Sequence, residues 1–187
     1  MRGPHIGLAL AAILLAACQT GTPVGSDGAS ATPVPSMTAD DLGRLIPDEV
    51  AGFALLTFTM TGEEFLGGAP DPEFAALLDS LGADTADITV ASAIGGTSDG
   101  TETATVFAFR VAGADADAMI SAFQTVSGSG DSPLGWHDET VGGKSVQVSS
   151  TNTDFPEPVV LYATGDILFF VTASDESITE EIIRKLP

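Results

Sequence analysis

Two glycine-centred turns in the C-terminal third constrain this chain more than any other feature. Trp136 to Val141 and Lys144 to Ser149 flank Gly142-Gly143, and Val159 to Thr164 and Ile167 to Ala173 flank Gly165-Asp166. A two-residue connection joins antiparallel neighbours, and glycine supplies the positive φ that the primed turns of such hairpins need. Four consecutive strands are thereby committed to two antiparallel hairpins. Everything upstream has to fit them.

Upstream, two periodicities take turns. Phe53 to Thr61 alternates, with Leu56, Phe58 and Met60 on one side and Leu55, Thr57 and Thr59 on the other, which predicts a strand. Asp71-Pro72-Glu73 opens a helix: Asp caps it, Pro fits its first position, and Glu suits the positive end of its dipole. Phe74, Leu77, Leu78 and Leu81 form its apolar stripe, and Gly82 ends it. Ile88 to Ile94 and Thr103 to Val111 are strands joined by the loop from Gly95 to Gly100. Asp115 or a near neighbour caps a second helix striped by Met119, Ala122, Phe123 and Val126, and Gly128-Ser129-Gly130 closes it. Ser174 or Asp175 caps a last helix with Ile178, Ile182, Ile183 and Leu186 facing inward. The order β-α-β-β-α-β-β-β-β-α predicts an α+β fold, an antiparallel sheet with helices packed on one face. Its first six elements match a ferredoxin-like split βαβ unit.

The N-terminal stretch obeys different rules. Residues 6–17 carry no charge and follow Arg2. Twelve residues are too few to span a bilayer, which takes roughly twenty, and suit the apolar region of a signal peptide. The run ends in Leu15-Ala16-Ala17-Cys18, which resembles the lipobox of bacterial lipoproteins. That resemblance implies cleavage between Ala17 and Cys18 and a thioether-linked diacylglyceryl on Cys18, and two acyl chains suffice for stable anchoring. It places the chain on the extracytoplasmic side of a membrane: the outer membrane of a Gram-negative cell, given Gln19 after the cysteine, or otherwise the outer face of the cell membrane. The alternative is a signal-anchor helix with an incidental cysteine. Residues 18–40 then form the lipidated N-terminus and a Gly-, Thr-, Ser-, Ala- and Pro-rich tether, with Pro23, Pro33 and Pro35, expected to be disordered. Residues 41–187 form a single acidic domain, long enough for one core. The stretches Ile46-Pro47-Asp48-Glu49-Val50 and Val141-Gly142-Gly143-Lys144 resemble uncharacterised exported bacterial domains, which implies no activity.

Charge narrows the partners. The chain holds 6 Lys and Arg against 26 Asp and Glu, for a formal charge of −20. Removing residues 1–17 takes Arg2 away and leaves five scattered cations, hence −21. Nucleic acid requires clustered cations and is excluded. Anionic headgroups repel the domain, so the acyl anchor is the expected membrane attachment. Solubility explains the acidity most simply; a cationic partner, divalent ions or a salty environment are the alternatives. Once Cys18 is lipidated no cysteine remains for a disulfide.

The candidate sites each have a plainer explanation. Gly142-Gly143-Lys144-Ser145 suggests a phosphate loop, but Asp138 stands where the loop's first glycine belongs, and Ser145 to Ser149 alternates like a strand. His137, in Trp136-His137-Asp138-Glu139, is the one histidine left after processing. It lacks a serine in a nucleophile elbow and the further ligands zinc needs, and reads as a solvated strand residue. Asp99 and Glu102, or Asp84 and Asp87, are weak calcium candidates whose spacing departs from the calcium-loop pattern. Arg110 reads as a paired surface ion rather than an anion receptor. The chain thus shows no catalytic constellation and calls for no cofactor. The expected function is a non-catalytic binding or interaction module. A carrier of a lipid or other apolar ligand is the alternative, since Ile167-Leu168-Phe169-Phe170-Val171 is apolar on both faces and suits a central strand or a cavity wall. A weak calcium-binding surface domain is the second alternative, and hydrolysis through His137 ranks last.

Overall fold

The structure is a computed structural model describing residues 37–70, 72–128, 133–153 and 155–187. Cys18 and nearly all of the tether lie outside the described residues, as do Asp71, Ser129 and Gly130. Eight strands form one sheet: β1 (Glu49–Val50), β2 (Phe53–Thr61), β3 (Ile88–Gly96), β4 (Thr103–Val111), β5 (Trp136–Val141), β6 (Lys144–Ser149), β7 (Val160–Thr164) and β8 (Ile167–Ala173). The described helices are α1 (Ala39–Gly43), α2 (Gly62–Leu66), α3 (Pro72–Leu81), α4 (Ala116–Ser127) and α5 (Glu176–Lys185). The broad expectation of an α+β fold on an antiparallel sheet holds. Both glycine hairpins form, with Gly142, Gly143 and Gly165 at φ +57°, +83° and +59°.

Sheet order is β1-β2-β3-β4-β8-β7-β6-β5, and every pairing is antiparallel. This pairing corrects the ferredoxin-like first half. A split βαβ unit inserts a strand between the two that its helix joins. Here α2 and α3 leave β2 and return the chain so that β3 pairs directly beside it, with Leu56 opposite Ile94 and Met60 opposite Val90. Four further elements, α1, β1, α2 and a 3₁₀ turn at Thr85–Asp87, add to the expected order. Thr38 caps α1 and exchanges hydrogen bonds with Asp41, so this helix begins ahead of the expected start of the domain at Asp41.

α5 fixes the shape of the sheet. Ile178, Ile182, Ile183 and Leu186 are all buried in one cluster with Val146, Val160, Phe169 and Val171. The helix touches β8 in the middle of the sheet and also β1 and β5 at its two ends. Lys185 Nζ donates to the Glu49 carbonyl at 2.9 Å. On the other side a Cβ on Gly142 would lie 2.8 Å from Arg184 N. Eight flat strands measure about 34 Å across, and a helix only about 10 Å. The sheet therefore curls around α5. Ala91, Ala93, Ala104 and Ala108 line the concave face of β3 and β4, where small side chains admit the turn Leu42–Ile46 and let the sheet close.

Helices cover both faces, which corrects the expectation of one. α1 and α5 fill the concave side, whereas α3 and α4 lie on the convex side over Val90, Phe109, Leu161 and Leu168. The cause is visible in β8, whose residues from Ile167 to Phe169 and again Val171 are buried. A strand apolar on both faces needs cover on both. Phe123 of α4 meets the Phe170 ring edge-on, centroids 4.4 Å apart, and Phe74 of α3 meets Phe109 in the same way at 5.9 Å.

Candidate functional site: an uncovered face beside an open sheet edge

The convex face of β2, β3 and β4 runs in cross-strand rows. One row, Met60–Val90–Phe109, is roofed by Phe65 of α2 and by Phe74 and Leu77 of α3. The next two rows, Phe58–Ser92–Phe107 and Leu56–Ile94–Thr105, have no such roof. A ten-residue helix is about 15 Å long and cannot reach along the whole strand. Leu56 is 64% exposed, Ile94 52%, Phe58 50% and Phe107 38%. Leu56 and Ile94 are directly opposed, with Cβ atoms about 5 Å apart, and in the next row Phe58 and Phe107 flank the buried Ser92, so the four surround one patch. Its apolar area is on the order of 400 Å², a size that is often functional on a monomer.

The patch adjoins an edge. β1 pairs with β2 only at Phe53 and Ala54, and Leu55 N donates to the Asp48 carbonyl at 2.8 Å, away from β3. Backbone groups alternate along a strand. Thr57, Thr59 and Thr61 therefore share the outward phase of Leu55, while Leu56, Phe58 and Met60 bond to β3. Thr61 N is taken by Glu64 Oε2 at 2.8 Å. Between these two occupied positions, Thr57 and Thr59 direct their N–H and C=O groups past the rim of the sheet, and no described strand lies there. Asp48 and Glu49 stand at one end of this gap, Glu63 and Glu64 at the other, and Asp40 accepts from Thr59 Oγ1 at 3.1 Å.

The weak calcium candidates serve their own turns. Asp99 Oδ1 accepts from Thr97 Oγ1 at 2.7 Å, Thr101 Oγ1 at 2.9 Å and Thr101 N at 3.2 Å. The Thr97 hydroxyl and then the Thr101 donors hold its carboxyl below the usual aspartate range. Beside it, the Glu102 backbone closes the loop by exchanging bonds with Thr97. Asp84 and Asp87 cap the 3₁₀ turn reciprocally: Asp84 Oδ1 accepts from Ala86 N, and Asp87 Oδ2 from Asp84 N. Among the described residues no three His, Cys, Asp or Glu side chains converge as a metal site.

Other candidates are placed as follows. Arg110 is paired, as expected, but it is buried rather than a surface ion. Only 5% of it is exposed, its Nη2 lies 2.8 Å from Asp166 Oδ2, and its Nε has no hydrogen-bond partner among the described residues. Val111 N and Gly113 N donate to the Asp166 carbonyl and carboxylate, which ties the end of β4 to the second hairpin. His137 is exposed on edge strand β5, with Nε2 3.5 Å from Glu139. Lys144 starts a strand; its Nζ donates to the Leu186 and Pro187 oxygens and lies 4.5 Å from the Tyr162 ring centroid. The apolar run Ile167–Val171 is a central strand between α5 and α4. An open cleft of about 440 Å³ adjoins the Thr61 end of the β2 edge, lined by Met37, Thr38, Thr61, Glu63, Thr85 and Thr89 among others.

Sequence reasoning missed the patch. Leu56 and Phe58 alternate like core residues, and only the position of α3 shows that they are uncovered. Comparison with protein-family models, curated proteins and solved structures returns no match.

Proposed function

We propose that this chain is a lipoprotein held through Cys18 on the extracytoplasmic side of a membrane, carrying a non-catalytic interaction domain. The apolar patch of Leu56, Phe58, Ile94 and Phe107 supports the interaction role more than any other observation. Burying a face of this size against a partner removes it from water, at roughly 25 cal/mol for each Å². The sequence Leu15-Ala16-Ala17-Cys18 supports the anchor. On this reading the anchor and tether set where the domain works, in the outer membrane of a Gram-negative cell or on the outer face of a single membrane.

A lipid carrier has less support. The concave side of the curled sheet is filled by side chains of α5 and of the segment Leu42–Ile46, and the described cleft, with Met37, Thr38, Thr61, Glu63 and Ile88 among its walls, is open rather than enclosed.

Two measurements test the proposal. Cells fed an alkyne fatty acid should label the chain, and Cys18→Ser should abolish both the label and membrane retention; labelling that survives the substitution refutes the anchor. A photoreactive residue at position 58 should yield a discrete adduct in intact cells, and one at position 138 should not. Equal yields, or none, at both positions refute the interaction face.

A further inference from the structure

We infer that the open edge of β2 receives an extended polypeptide segment, which adds one strand to the sheet and brings apolar side chains beside Phe58 and basic residues at its two ends. The inference rests on the interaction reading above and names the partner's chemistry. Four observations carry it. Thr57 and Thr59 offer an alternating donor and acceptor row, the feature an added strand pairs with. The gap is bounded, since Leu55 N and Thr61 N are already satisfied by Asp48 and Glu64. This leaves room for about five paired residues. On the same strand Leu56 and Phe58 present large exposed side chains to the convex face, so alternate residues of an added strand would land beside them. Asp48, Glu49, Glu63 and Glu64 flank the gap at both ends. Arg44 and Lys185 are held by Asp41 and Glu181, so the charge on offer at this edge is negative and selects a cationic segment.

A second copy of the chain meets the same hydrogen-bonding row but is disfavoured by charge. Pairing β2 with itself would set two chains of formal charge −20 edge to edge.

The probe is a fluorescent peptide alternating valine and threonine between pairs of lysines, titrated by anisotropy against the full-length chain in detergent. Binding is expected, weakened about tenfold or more when the central amides of the peptide are N-methylated or its lysines become glutamates. Thr57→Pro should weaken it comparably, because proline deletes an outward N–H that the fold itself does not use. A circular-dichroism melt of this variant matching the parent confirms that the fold survives. No binding at millimolar peptide overturns the inference. So does binding that survives both N-methylation and Thr57→Pro but is lost in Phe58→Lys, which would mean face-on docking and leave the interaction reading standing. A dimer in sedimentation that Thr57→Pro dissolves would assign the edge to a second copy instead. If the adduct at position 58 in cells is also absent, the interaction reading falls with the inference.

Discussion

The two edges of this sheet are built to opposite specifications. β5 reads Trp136-His137-Asp138-Glu139-Thr140-Val141, with His137, Asp138, Glu139 and Thr140 all exposed. Charged side chains on an edge discourage a further strand from pairing. The edge at β2 reads Leu55-Leu56-Thr57-Phe58-Thr59-Met60, has no charge within its span, and is shielded by β1 over two residues only. Folding alone does not require this asymmetry, since charges at the convex positions Leu56 and Phe58 would leave the concave core intact. It separates an edge that is defended from one left available.

Core substitutions mark the baseline, with the largest expected effect. Phe169 is fully buried on the concave face and stacks on Tyr162 with centroids 6.1 Å apart; Phe169→Ala should cost about 3–5 kcal/mol in urea unfolding. Phe58→Ala removes the same ring from the open edge and should cost less than about 1 kcal/mol. Equal losses would show that Phe58 is core and dissolve the contrast.

Proline scanning along β2 sharpens the contrast at the backbone. Phe58→Pro deletes a ladder bond to β3 and should destabilise by about 3 kcal/mol. Thr57→Pro, one residue away, should cost about 1 kcal/mol or less, because its N–H faces outward. A comparable or larger loss at Thr57 would mean the edge is occupied in the folded chain. On the β5 side, Gly142→Ala forces a side chain into positive φ and against Arg184 N, and is expected to cost about 2–3 kcal/mol.

Acid is expected to act first on the helices that bracket β2. Thr38 donors hold Asp41 below the usual carboxylate range, and Thr61 donors do the same for Glu64. Both cap helices that bracket β2, namely α1 and α2. A carboxylate whose folded pKa is depressed stabilises fully above its unfolded value and loses that contribution as pH falls through the folded one. The melting temperature should therefore fall below about pH 4, with hydrogen exchange rising around Thr38–Gly43 and Thr61–Leu66 before it rises in β5 and β6. A uniform response, or a rising melting temperature, would contradict this.

Much of the fold was legible locally. The bounds of β2, β4, β5, β6 and β8 follow from alternation and glycine turns, and the caps are Asp115 and Asp175, each one of the alternatives the sequence offers. α1 and α2 escaped because five residues are too few to show a 3.6-residue period. Thr38-x-x-Asp41 and Thr61-x-x-Glu64 were nevertheless readable as capping boxes, and the second has the standard Thr-to-Glu form. The helices' distribution over two faces was not local information. β8 is apolar on both sides, but which helix covers which side depends on long-range packing. The patch was hidden for the same reason: Leu56 and Met60 alternate identically, and only the reach of α2 and α3 makes one exposed and the other roofed.

Amide hydrogen exchange along β2, resolved residue by residue in the free chain, tests the open edge most directly. Thr57 and Thr59 should exchange orders of magnitude faster than Leu56 and Phe58, whose amides bond to β3. If all four are equally protected, the edge is already paired and is not the docking site.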